Sequence, residues 1–404
     1  MTFTEIDLMD PRSFADGVPH DYFRQLRALP GLLPGTDDDG ERFWYVVRHR
    51  DVSSVSRDVA RFSSSPTTMT SVRKVDPSPP IITFQDAPEH TRVRKLTFKA
   101  FAPARLALLA EPIRRIVDEL LDECVAKGEF DLAEDVALKL PFAVLLELLD
   151  IPDEDRTMML GWARATVNLG DPEYDDSMNG SGDNSFQKIY DYLIDLAHRR
   201  AAQPTDDVFS MLLAARWDGS RLGLADRLSP DEVGLFASTL ITAGSETTYC
   251  SVTGGVLALL ENPDQLEKLR GDREALLGTA TAEVVRWVTP VTHFARRALV
   301  DTEVNGQAVA AGERVVLWYS SANRDEEAFA DPDRFDVGRA RNPHVSFGGG
   351  GPHVCIGNGL ASMELRAFLD GVLDLLPRLE ITGEPVRPET NFMNSVKHLP
   401  MRVR

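Results

Sequence analysis

The residues best placed to do chemistry surround one cysteine. The stretch HVSFGGGGPHVCIGNGLASMELR, His344 to Arg366, sets four glycines and a proline ahead of Cys355 and then runs into an amphipathic helix. Glycines leave bare backbone that can approach a flat, bulky ligand closely. The free N–H groups and positive dipole end of the helix that follows favour a thiolate over a thiol. A thiolate so placed is a soft metal ligand. With one cysteine and no second ligand nearby, iron in a porphyrin fits better than zinc or an iron–sulfur cluster, both of which want several ligands. The alternative is a buried cysteine in an ordinary loop.

A second cluster lies in LSPDEVGLFASTLITAGSETTYCSVTGGVLALLENP. Ser229 can be a helix N-cap, Pro230 suits the first helical position, and Glu232 completes an S-x-x-E capping box. The helix is expected to end at Asn262-Pro263, and its roughly 32 residues would extend about 48 Å at ~1.5 Å each. Its flanks are apolar, so burial is expected. In its middle the run AGSETT puts Glu246 among hydroxyls. A carboxylate there costs several kcal/mol unless it is paired, hydrogen-bonded or protonated. The alternative is a Ser/Thr-rich kink, since such residues back-bond to preceding carbonyls.

The elements that must position these clusters are mostly helical. LALLAEPIRRIVDELLDECVAKG spaces its apolar residues three and four apart and stops at Gly128, as a surface helix with a glycine cap does. Strands are expected in ERFWYVVRH and in HFARRALVDTEVNGQAVAAGERVVLWY, where Asn305-Gly306 is a hairpin signal. The β-rich parts are thus roughly 41–62 and 290–320 of a mainly α chain, read as a single domain over 1–404. Residues 63–85, rich in proline and hydroxyls, and the acidic, Gly/Ser-rich residues 170–185 read as long loops, usually lids or binding loops.

At 404 residues, with 43% hydrophobic and 26% charged, the composition is that of a globular protein. A net charge of −19 argues against a nucleic-acid binder, which needs clustered Lys and Arg. Cys124, Cys250 and Cys355 never form a CxxC pair, so a disulfide framework or structural zinc site is not expected. No run reaches the ~18 apolar residues of a membrane span, and the acidic N-terminus lacks a secretory pattern; no membrane anchor and a cytoplasmic location are expected.

The stretches FGGGGPHVCIG, AGSETT, EVVR and PDRF, in this order and spacing, resemble the cytochrome P-450 family, the heme-thiolate monooxygenases, over essentially the whole chain. The resemblance implies a triangular prism with heme between the long central helix and the Cys-loop helix. It implies heme b (iron protoporphyrin IX), with O2 as co-substrate. Cys355 then ligates the iron, and thiolate donation favours O–O cleavage. Phe347, Gly348, Gly350 and Gly357 match the heme loop with one extra residue, since the aromatic residue usually stands where this chain has Gly348. Ala243 and Gly244 match the oxygen-binding bend. Glu246 and Thr247 match the acid–alcohol pair that relays protons to bound oxygen. Glu283 and Arg286, the ExxR pair, are joined in the family by the arginine of PDRF, here Arg334, in a folding role. His90, Arg94, Arg296 and His353 match propionate partners, with Arg297 as the alternative to Arg296.

By family position the substrate pocket draws on Met69, Val72, Ile81 and Ile82, on Leu240, on Val291, Thr292 and Phe294, and on Phe392 and Met393. These are mostly apolar, so a hydrophobic substrate is implied. NPHVSFGGGGPHVCIGN and FMNSVKHLPMRVR look like the actinobacterial branch that oxidises sterols and long branched lipids. His293 and the polar 170–185 loop could instead serve a natural-product tailoring enzyme acting on a terpenoid, polyketide or peptide. Electrons would come from NAD(P)H through ferredoxin reductase and ferredoxin to a monomer. Arg92, Lys95 and Lys99 form either a solvated charged face or a docking stripe for an acidic ferredoxin. A peroxide-driven variant and a non-catalytic heme sensor are the remaining alternatives.

Overall fold

The capping residues of the long apolar stretch act as their types dictate. In the computed structural model, which describes residues 6–36, 40–70, 81–168, 171, 173–174, 184–218 and 222–404, the Glu232 N–H donates to Ser229 Oγ at 3.2 Å and the Ser229 N–H donates to Glu232 Oε2 at 2.9 Å. From this box one helix, Pro230–Glu261, runs 32 residues without interruption. It is the axis of the molecule, packed against the helices Lys139–Leu148, Ser185–Ala202, Arg273–Val288 and Asn358–Val372. Close crossing requires small residues: a Cβ on Gly234 would stand 2.8 Å from the Ile194 Cα.

Pro112 changes the helix expected to end at Gly128. Proline has no N–H and clashes with the carbonyl four residues back, here Leu108. The segment therefore divides into Pro103–Leu108 and Ala110–Lys127, and Gly128 closes the second at φ 76°. Ile113, Ile116, Val117, Leu120, Leu121 and Cys124 form its buried stripe.

The main sheet has five strands in the order Leu33–Thr36, Arg42–Val46, Arg314–Trp318, His293–Ala298 and Phe62–Ser63. Only the pair Arg42–Val46 and Arg314–Trp318 is parallel. The expected β-rich part 41–62 also holds a nine-residue helix, His49–Arg57, whose Val52 and Val55 turn inward at helical spacing. Asn305 at φ 50° and Gly306 at φ 76° make the turn between Thr302–Val304 and Gln307–Val309, the left-handed pair a two-residue hairpin needs. Two shorter strands near the C-terminus, Leu379–Ile381 and Pro400–Val403, join Glu129–Asp131 in a sheet the sequence reading did not include. The architecture is mainly helical with small sheets, and among the described residues no helix is long and apolar enough to cross a membrane.

Candidate active site

The Cys355 loop is shaped by glycine for two different reasons. Gly348, Gly350 and Gly351 adopt φ of 98°, 103° and 78°, in the left-handed region. Gly349 and Gly351 are bare because the helix His49–Arg57 lies against them. Added Cβ atoms would stand 2.9 Å from the Val52 carbonyl oxygen and 2.7 Å from that of Ser56. Most of the bareness thus serves protein packing, and only Gly348 and Gly357 of the loop glycines open onto a cavity. The turn also absorbs the extra residue: the Cys355 N–H donates to the Phe347 carbonyl at 2.9 Å, so Phe347 still lines the cavity beside the sulfur.

That cavity, about 250 Å³, lies between the loop and the central helix. Cys355, Phe347, His353 and Gly357 form one wall; Leu240, Ala243, Gly244 and Thr247 form the other. Ala243 is exposed in the middle of an otherwise buried helix because it faces this space. Cys355 is also exposed by area, toward the cavity, yet protein surrounds the sulfur closely enough for burial to raise its pKa; a hydrogen bond from the Gly357 backbone N–H and the Arg94 charge pull it down. The helix-start donor that the sequence reading expected beside the sulfur is present, and burial opposes it.

His90, Arg94 and Arg296 meet His353 at one side of the cavity. The two imidazoles lie 4.0 Å apart by ring centroid. Burial first, then neighbouring positive charge, lowers His90 to about 4 and His353 to about 3. Among the described residues neither Arg94 nor Arg296 has a carboxylate ion-pair partner, so one half-buried and one buried cation stand at the edge of the cavity. A heme with two propionates fits this donor set, one sulfur on one wall and paired cations at the edge. Among the described residues no cluster of three or more His, Cys, Asp or Glu could hold a metal instead. Arg297 is turned away, donating to the Gly312 carbonyl at 2.7 Å.

On the central helix the acid and the alcohol point differently. Thr247 lines the cavity and its hydroxyl donates to the Ala243 carbonyl at 2.8 Å. Glu246 does not line it. Its Oε1 accepts from the Asn168 backbone N–H at 2.8 Å. The ExxR cluster carries a correction. Arg286 grips Glu283 with two bonds of 2.8 Å, but the third member is Arg339, whose Nε donates to Glu283 at 3.1 Å. The Arg334 side chain is exposed, and only its carbonyl joins, accepting from Arg286 and Arg339. Arg92 is likewise no part of an exposed stripe: it is buried in an ion pair with Glu232, while Lys95 and Lys99 stay exposed.

Of the expected pocket residues, Ile82, Leu240, Val291 and Phe294 line the cavity. Met69 does not; the neighbouring Thr68, whose carbonyl accepts from the Ala295 N–H, lines it instead. Ile81 lines a small side void against Val93 and Leu235. Thr292 turns from Val291 to the Asn391 carbonyl and the His293 ring. Met393 sits in the core across from Val291, and Phe392 stands behind Phe294 at 5.5 Å between rings. Val72 and residues 71–80 lie outside the described residues, as does much of the 170–185 loop. His293 is no substrate contact: it is fully buried, 4.4 Å from the Trp318 ring and hydrogen-bonded to Thr70 and Thr292, with burial lowering it to about 3.

Phe101, Leu145, Phe236 and Tyr319 also line the cavity, and the sequence reading missed them. It missed Glu364 as well. That residue is buried on the inner face of the Cys-loop helix with no partner for Oε2, and burial holds its carboxyl well above the usual carboxylate range. The signal was available, since Leu360, Glu364 and Phe368 repeat at four-residue steps along one buried stripe.

Known proteins resemble this chain over nearly its whole length. The sequence model of the family described as cytochrome P-450 matches residues 177–398. A steroid C26-monooxygenase of Mycolicibacterium smegmatis is 36% identical over 98% of this chain and 93% of its own. A linalool 8-monooxygenase of Pseudomonas putida is 36% identical over 97% of each. Among solved structures, a Mycobacterium marinum cytochrome P-450 in complex with pseudoionone superposes with a TM-score of 0.86 at 32% identity, covering 100% of both chains.

Proposed function

This chain belongs to the cytochrome P-450 family, and from that footing we propose the substrate class, the electron route and the residue roles of its reaction. It is a heme monooxygenase of hydrophobic substrates. When bound, the heme activates O2 with two electrons and two protons, so that one oxygen atom enters the substrate and the other leaves as water.

In our reading Cys355 holds the iron, and the Gly357 N–H with the Arg94 charge supports its anionic sulfur. His90, Arg94, Arg296 and His353 hold the propionates. Ala243 and Gly244 leave space over the heme face, Thr247 holds a proton at its hydroxyl, and Glu246 supplies protons to it. Phe101, Leu145, Phe236 and Phe294 keep water out. The substrate is an elongated apolar molecule: a sterol side chain, an acyclic terpenoid or a methyl-branched lipid. The single observation carrying this is the apolar cavity that opposes Cys355 to a bare segment of the central helix. Relatives named for a steroid, for linalool and for a methyl-branched lipid favour the same class.

Screening such compounds against small polar natural products for a low-spin to high-spin shift tests the assignment. Shifts confined to the polar compounds would overturn it. Electrons pass from NAD(P)H through a reductase and an acidic ferredoxin that docks at Lys95 and Lys99. Reversing both charges is expected to slow reduction, most at low salt; unchanged rates across a salt series would refute the docking site.

A further inference from the structure

Glu246 is held on the side of the central helix away from the cavity, and the residue that holds it is tied in several directions. Asn168 is 3% exposed, with φ 50° in the left-handed region where asparagine is among the few tolerated side chains. That backbone turn aims its N–H at Glu246 Oε1, 2.8 Å away. Its side chain is fixed on both ends. Oδ1 accepts from the Ser395 hydroxyl at 2.8 Å, and Nδ2 donates to the Tyr249 hydroxyl at 3.5 Å. Tyr249, one turn beyond Glu246, in turn donates to the Val396 carbonyl at 3.0 Å. The same C-terminal segment receives Tyr174, whose hydroxyl donates to the Lys397 carbonyl at 3.1 Å, and Lys397 reaches Asp171 at 2.9 Å.

We propose that Asn168 is a positioning residue for proton delivery: a latch, set by Ser395 and Tyr249, that fixes the Glu246 carboxylate relative to Thr247. The inference rests on the monooxygenase reading above and deepens it. Two separate chain segments, the central helix and the C-terminal segment, converge on one side chain that does not line the cavity. A merely structural asparagine in a buried turn would satisfy its own backbone. Here the backbone N–H is given to a buried carboxylate next to the cavity-facing hydroxyl, and the side chain spends both polar ends keeping that N–H aimed.

The test leaves Asn168 and Glu246 in place and removes the support. In the holoenzyme, Ser395→Ala is expected to speed hydrogen exchange of the Asn168 amide roughly two- to twelvefold, the range one hydrogen bond is worth. Product formed per NAD(P)H is expected to fall and peroxide release to rise, with the substrate-induced spin shift unchanged. Ser395→Thr, which keeps the hydroxyl, is expected to restore both, and Tyr249→Phe, which removes the bond to Asn168 together with that to the Val396 carbonyl, to repeat the Ser395→Ala effect. Unchanged exchange and coupling in Ser395→Ala would overturn the latch. So would a loss of coupling that Ser395→Thr fails to rescue. If the monooxygenase reading itself were wrong, the wild type would form no product from O2 and NAD(P)H, an outcome distinct from either.

Discussion

At Cys355 burial raises the pKa of the sulfur, while the Gly357 N–H and the Arg94 charge lower it. Across the cavity, Thr247 gives its hydroxyl proton to the Ala243 carbonyl and leaves its oxygen open to the cavity. Replacing Thr247 with Ala removes that group without a gap in the helix ladder. Product per NAD(P)H is then expected to fall by about tenfold or more, against the roughly hundredfold that one positioned proton-transfer group can contribute. An unchanged yield would count against its role. The residue types at these positions were legible in the sequence, but their directions were not. Glu246 and Thr247 are adjacent, so a helix must turn them by about 100° from one another, and which one met the cavity depended on packing. Glu364 was legible only as one member of the buried stripe Leu360, Glu364 and Phe368 that follows the cysteine.

At the scale of elements, the buried ExxR cluster joins the helix Arg273–Val288 to the segment that leads into the Cys loop. Glu283 accepts from Arg286, Arg339, the Asp336 N–H and Asn342, so every oxygen is satisfied. Replacing Arg339 with Met leaves that buried carboxylate short of a cation and is expected to cost about 3–5 kcal/mol. Replacing the exposed Arg334 with Ala is expected to change stability by no more than about 0.5 kcal/mol. Thermal unfolding of the two variants separates them, and equal losses would restore the role first assigned to Arg334. These arginines stand five positions apart, and the turn at Asp331–Arg334, folded back under its own carbonyls, decides which one points inward. The central helix was legible to its ends, because a capping box, a proline at the first position and Asn262-Pro263 are local signals. The break at Leu109 was legible too, had Pro112 been weighed against the apolar spacing. The short C-terminal strands were not, since Pro400–Val403 pairs with Glu129–Asp131, more than two hundred positions away, and Leu379–Ile381 joins the sheet only through it.

For the molecule as a whole, a net charge of −19 surrounds a cavity whose edge is cationic. That contrast suits a buried dianionic heme and leaves the surface ill-suited to nucleic acid. The cavity wall is mostly apolar, and His293, which could have offered a polar contact, is engaged in the core. The central proposal is one bond, between the Cys355 sulfur and a heme iron. The most direct measurement is the absorption spectrum of the reduced carbon monoxide complex of the purified holoenzyme. The wild type is expected to give the strongly red-shifted Soret band of a thiolate-ligated heme, and Cys355→His to retain heme but lose that band. A wild-type band at the position typical of histidine-ligated heme, or one that survives in Cys355→His, would contradict the account.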